Sequence, residues 1–172
     1  MADGSLPAHG QIQEILRMYS DMVYKLALSQ TKNRADADDV FQEVFVRYMK
    51  NMKPFASEEH RKAWLIRVTI NCSRKLTRSA WFRRTVALSS SRPAEPAAFD
   101  SQEKTAVYEA VLRLPGTYRT VIHLFYYEDM SIAQIGSILR VPESTVKSRL
   151  SRARRLLKRQ LEGEWDHEDE RL

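Results

Sequence analysis

Cysteine occurs once in the 172 residues, as Cys72, and glycine only five times. A lone thiol excludes an internal disulfide and a cysteine-built zinc site. No Gly-rich loop able to cradle phosphates occurs. No apolar run approaches the ~20 residues that span a bilayer. The first residues lack a basic segment followed by an apolar one, so no signal peptide is expected. Period-two alternation, the mark of a half-buried strand, is missing throughout. The four histidines, His9, His60, His123 and His167, are scattered, and the acids show no paired inward spacing. These absences predict a cytoplasmic protein that is not an enzyme, with no metal, no cofactor and no small-molecule substrate; His123 is expected to pack within a helix.

What is present is charge of one sign at chosen places. The formal net charge is +6, with 43% apolar and 29% charged residues. A basic balance of this kind favours association with a polyanion. The stretch 131–161 concentrates it. Ser131 with Gln134 forms a capping-box pattern that opens a helix. Ile132, Ile135, Ile138 and Leu139 follow at helical spacing. Arg140-Val141-Pro142 breaks the helix, because the residue before proline is driven out of the α region. Glu143-Ser144-Thr145 supplies an acid and hydroxyls suited to a second helix start. There Val146, Leu150, Ala153 and Leu157 make a narrow apolar stripe. From Lys147 to Arg159 no acid occurs. Charge runs are ordinarily solvated faces, but a cap, a proline turn and a one-sign surface together describe a helix-turn-helix with its reading helix second. Hydroxyls and arginines near a helix start reach base edges, and cations further along suit phosphates. Ser144, Thr145, Lys147, Ser148, Arg149, Arg152 and Arg155 are the residues expected on DNA.

The rest of the chain is also helical in pattern. Residues 1–10 read as a loose leader. One amphipathic helix runs to about Gln30 through Ile15, Tyr19, Met22, Val23 and Leu26. A second runs from about Ala35 to Met52 with Val40, Val44, Phe45, Tyr48 and Met49 inward, and a third from about Glu59 to Arg78 with Leu65, Val68, Cys72 and Leu76 inward. The Ser- and Pro-rich composition around residues 89–96 offers little to bury and marks a linker. Trp81 and Phe82, just before it, are expected either on the first core or on a partner. Helical periodicity resumes through Val107, Val111 and Leu112, stops at Leu114-Pro115-Gly116, and restarts at Val121. The expected fold is all-α: a helical domain over 11–79, a flexible linker over 80–102, a helix-turn-helix domain over 103–162 and an acidic tail over 163–172. Residues 11–79 hold 13 basic and 8 acidic side chains, and residues 103–161 hold 11 and 5. Two basic modules on one tether can engage two places on one long polyanion.

Two faces of the first domain stand apart. Asp36, Asp38, Asp39, Gln42 and Glu43 cluster at the start of the second helix. There they suit the helix dipole and also offer an acidic docking face for a basic protein. On the third helix Arg67, Asn71, Arg74 and Arg78 form a row, with Trp64 one turn before. An aromatic beside a basic row is what single-stranded nucleic acid requires.

Residues 36–45 (DADDVFQEVF), Trp64-Leu65-Ile66-Arg67-Val68 with Asn71, Leu114-Pro115 and the block 131–155 resemble, in order, the sigma-70 family of bacterial transcription initiation factors. The short two-domain form looks like the extracytoplasmic-function (ECF) group. The resemblance, over about residues 11–162, implies a factor that binds core RNA polymerase and directs promoter-specific initiation. It implies that Asp38, Asp39, Gln42 and Glu43 meet the β′ clamp helices, with the β flap as a further polymerase contact. It implies that the loop 51–57 with Trp64, Arg67, Asn71, Arg74 and Arg78 recognises and opens the −10 element, and that the last helix reads the −35 element. After Asn71 the chain has Cys72-Ser73-Arg74-Lys75 where many members carry Asp-x-x-Arg. An anti-sigma partner, often membrane-bound in such a group, is also implied. A stand-alone helix-turn-helix regulator acting as a homodimer is the competing expectation.

Overall fold

The computed structural model describes residues 9–51, 53–86 and 106–169, with side chains at 10–51, 53–81 and 106–163. The chain divides into two compact units, meeting in sequence at Ala97 and Ala98. Every regular element among the described residues is helical.

The first unit packs three helices pairwise: α1 (His9–Thr31), α2 (Arg34–Lys50) and α3 (Glu58–Val86). Lys32 at φ 57 ends α1. Asn33 then caps α2, its side chain accepting the Asp36 N–H at 3.0 Å. That polar residue satisfies an otherwise orphaned donor, so the helix starts one residue before the expected Ala35. Val23, Leu26 and Ala27 of α1, Val44 of α2 and Leu65 and Ile66 of α3 lose all solvent contact. The buried face of α3 differs from the expected stripe. Ile66, Thr69, Ile70 and Ser73 are buried beside Leu65 and Cys72, whereas Val68 and Leu76 are only half-buried. The cause is that α3 packs against both α1 and α2, so its inward face is wider than one seam. Thr69 tolerates burial because its hydroxyl donates to the Leu65 carbonyl at 2.7 Å.

Helix α3 also continues to Val86, beyond the Arg78 at which it was expected to end and into the linker expected from Ala80. Trp81 is 68% exposed, which removes the expectation that it covers the first core. The Phe82 side chain and residues 87–102 of the expected linker lie outside the described residues.

The second unit comprises α4 (Ala106–Arg113), α5 (Gly116–Ile122), a π-helical turn (His123–Tyr127), α6 (Ile132–Leu139) and α7 (Glu143–Asp169). Val111, Leu114, Val121, Leu124, Ile135, Val146, Leu150 and Ala153 form its core. Val107, expected inward, is 50% exposed on the first turn of α4. The α4–α5 corner is closed by an unusual buried cation. Arg119 donates to the carbonyls of Leu114 at 2.6 Å and Leu112 at 3.3 Å. It thereby satisfies carbonyls that the ended helix cannot. Burial pulls its guanidinium below the usual arginine range. His123 is buried, stacks on Tyr127 at 5.2 Å and faces Glu128 at 3.5 Å, a packing position. Helix α7 runs on past Leu161 to Asp169, so part of the expected acidic tail is helical.

Candidate nucleic-acid interface

The second unit presents α7 through two local devices. Ser131 and Gln134 form the full capping box: the Gln134 N–H donates to Ser131 Oγ at 3.1 Å, and the Ser131 N–H to Gln134 Oε1 at 2.9 Å. At the other end of α6, Arg140 adopts the left-handed region (φ 56, ψ 47). The Val141 N–H returns to the Gly136 carbonyl at 3.0 Å. The turn lies so close to α6 that a Cβ at Gly136 would stand 2.9 Å from the Val141 carbonyl oxygen. Glycine at this position therefore sets the approach of the two helices.

With Val146, Leu150 and Ala153 buried, α7 turns Ser144, Lys147, Ser148, Arg152 and Arg155 to solvent; Thr145 and Arg149 are half-buried at its flanks. All seven residues expected on DNA thus lie off the buried stripe. Arg154, not among them, bonds to Tyr126 and faces the rings of Phe125 and Tyr126. No motif signals that contact, because the partner is 28 residues away.

In the first unit, Asn71, Arg74 and Arg78 are exposed along α3 and Arg67 is half-buried, so the row survives as a basic edge. Exposed Lys75 adds to it. Trp64 is half-buried and belongs to an aromatic cluster, meeting Phe55 at 5.6 Å and Tyr48 at 6.0 Å between ring centroids. Periodicity places Tyr48 and Trp64 on helices but does not show that Phe55, in the intervening loop, joins them.

On α2, Asp38, Asp39, Gln42 and Glu43 are all exposed. Glu43 accepts from Arg47 at 2.6 Å, and that bond holds its carboxyl below the usual carboxylate range. Burial, and then the Asp38 charge, raise the Tyr24 phenol of α1, so Asp38 leans on the bundle while Asp39 does not carry that link. A cavity of about 400 Å³ lies beside Ile15, Met18, Tyr48, Glu58 and Arg61. No group of three or more His, Cys, Asp or Glu suited to a metal occurs among the described residues. No described helix is long and apolar enough to cross a membrane.

The chain matches known proteins along most of its length. The family model "Sigma-70 region 2" matches residues 15–83, and "Sigma-70, region 4" matches residues 104–157. The ECF RNA polymerase sigma factor SigW of Bacillus subtilis is 30% identical over 163 residues, covering 86% of this chain and 87% of SigW. The chain belongs to the sigma-70 family, in its ECF group. The ECF sigma factor SigL of Mycobacterium tuberculosis is 32% identical over 147 residues, covering 81% of this chain and 82% of SigL. Among solved structures, the sigma factor RpoE from Bartonella quintana, crystallised with the anti-sigma factor NepR, shares the fold. Its TM-score is 0.70 at 22% identity, over 88% of this chain and 97% of that one. As a sigma-70 factor, the protein binds core RNA polymerase and promoter DNA and directs promoter-specific transcription. A stand-alone homodimeric regulator is not favoured. The family consists of transcription initiation factors that are not enzymes.

Proposed function

We propose a division of this activity between the two units. Residues 11–79 dock on core polymerase and handle the −10 element, and residues 103–162 read the −35 element as duplex. Asp38, Asp39, Gln42 and Glu43 are the docking face for the β′ clamp helices, and the second unit rests on the β flap. Trp64, Arg67, Asn71, Arg74 and Arg78, with the α2–α3 loop, hold the opened −10 strand. Keeping a base out of the stack costs a few kcal/mol. A three-helix bundle anchored to a large polymerase can meet that cost where the bundle alone cannot. Ser144, Thr145, Lys147, Ser148, Arg149, Arg152 and Arg155 contact the −35 duplex. The observation that carries this division is that Asp38, Asp39 and Glu43 are exposed on α2, Arg74 and Arg78 are exposed on α3, and the exposed cations Lys147, Arg152 and Arg155 lie on α7 of the other unit.

The chain itself catalyses nothing and needs no cofactor or metal. It works in the cytoplasm on the nucleoid. An anti-sigma protein holds it inactive, at the membrane where that partner is membrane-bound; NepR bound to RpoE supports a partner of this kind. The test is run-off transcription with core polymerase on a promoter library, with and without the chain. Promoter-selective transcripts dependent on the chain are expected. No stable association with core polymerase, or transcripts indifferent to −35 and −10 sequence, would end the proposal.

A further inference from the structure

Between α2 and α3 the exposed residues Lys53, Pro54, Ala56 and Ser57 form the rim of a short loop, and Phe55 alone among these turns partly inward. Its ring lies parallel to Tyr48 of α2, with centroids 5.9 Å apart and planes 6° apart. Trp64 meets it edge-on at 5.6 Å, at 66°. His60 does so at 5.8 Å, at 83°. The Arg61 guanidinium sits over it at 5.5 Å. Arg61 is in turn paired with Glu58, to which Tyr19 of α1 donates its hydroxyl. One loop side chain is thereby tied to all three helices.

Ser57 is held at the start of α3, its carbonyl accepting the Arg61 N–H and its hydroxyl the His60 N–H, each at 3.1 Å, and before it the loop has slighter support. Asn51 Nδ2 donates to the Lys53 carbonyl at 3.1 Å, and the Ala56 N–H reaches His60 Nδ1 at 3.4 Å, near the limit of a hydrogen bond. Between Asn51 and Ser57 the path of 53–56 is consequently set by where the Phe55 ring sits. Offset and edge-on ring contacts have defined geometry, so they fix position more closely than apolar burial alone.

We infer that Phe55 is a positioning residue for −10 selectivity: its stack on Tyr48 and Trp64 holds the rim of the loop at one height over the DNA. Phe55 does not itself contact a base. The inference rests on the proposed role of the first unit at the −10 element.

The test uses the full chain with core polymerase on promoters carrying a fixed −35 element and a randomised −10 element. Phe55→Ala is expected to flatten the −10 base preference by about tenfold, the scale of losing two such ring contacts. Core association and −35 duplex binding stay at wild-type level. Phe55→Tyr, which keeps the ring, restores the preference. Phe55→Leu keeps apolar bulk without a ring face and loses it again, so the idea remains testable if the alanine variant unfolds. An even fall in transcription across all −10 sequences, an unchanged preference in Phe55→Leu, or a failure of Phe55→Tyr to restore it overturns the inference. Absence of −10 preference in the wild-type protein would overturn the underlying division of roles, a result separable from a failure confined to the Phe55 variants.

Discussion

Arg154 Nε donates to the Tyr126 hydroxyl at 2.8 Å, and the same guanidinium lies 5.5 Å from the Phe125 ring and 5.6 Å from the Tyr126 ring. The middle of α7 is thereby moored to the π-helical turn. Arg154 and Arg152 are both exposed arginines on one helix, yet they are expected to behave differently. Arg152→Ala should lower the salt dependence of −35 duplex binding by about one phosphate contact, whereas Arg154→Ala should leave that slope unchanged. Titrations of duplex binding at several salt concentrations decide it; equal slopes for the two variants would contradict the assignment.

Gly136→Ala places a methyl 2.9 Å from a backbone oxygen that cannot swing aside. The α6–α7 turn must shift, with an expected loss of about 1–3 kcal/mol and a matching loss of −35 affinity. Thermal unfolding of the variant measures the first and duplex titration the second.

Tyr19 and Glu58 couple stability to pH in opposite directions. Burial, then the bond to Glu58, push the Tyr19 phenol up to about 12 from 10.0. The folded state holds that proton more tightly, so this contribution is complete below pH 10 and is lost as pH rises from 10 towards about 12. The Glu58 carboxyl moves below its usual range, first because Tyr19 donates to it. Its contribution is present above the ordinary carboxylate range and is lost as pH falls through it. Tyr19→Phe keeps the ring and removes the hydroxyl, at an expected cost of about 1 kcal/mol at neutral pH. Urea unfolding across pH should show a flatter profile at both ends.

Asp39→Lys reverses charge on the acidic face one turn before Glu43, at a residue that is neither Glu43's partner in the Glu43–Arg47 pair nor the charged neighbour of Tyr24. Association with core polymerase should fall by about tenfold or more, with −35 duplex binding unchanged. Co-sedimentation with core polymerase is the measurement, and undiminished association would remove Asp39 from the docking face.

Patterns within one helix were the legible part of the sequence. The capping box at Ser131, the stripe Val146–Leu150–Ala153 and the exposed acids of α2 follow from spacing alone, because a helix repeats every 3.6 residues. What was hidden depends on neighbours far along the chain. The wide buried face of α3 arises from packing on two helices at once, so Ile66 and Ile70 could not be told from Val68 and Leu76. Val107 fits a stripe yet is exposed on the first turn of α4, because spacing alone does not say where along a helix its neighbours lie. The helical continuation to Val86 was hidden by the Ser- and Pro-rich run that begins at Ser89, whose reading as linker reached back to Ala80. Phe55 and Arg154 act through partners on other elements, and no local period reports such contacts.

Past Ser73 the third helix has no buried residue as far as Trp81 and still runs on to Val86. From Arg74 to Trp81 only Leu76 and Ala80 are even half-buried, so this stretch leans largely on its own residues to stay wound, and like charges one turn apart, such as Arg74 and Arg78, work against it. In the proposed −10 role, a phosphate chain laid alongside would neutralise that repulsion. Winding and occupancy would then reinforce each other, since thermodynamic coupling is reciprocal: a bound strand would stiffen the rod, and a stiffer rod would grip the strand more firmly.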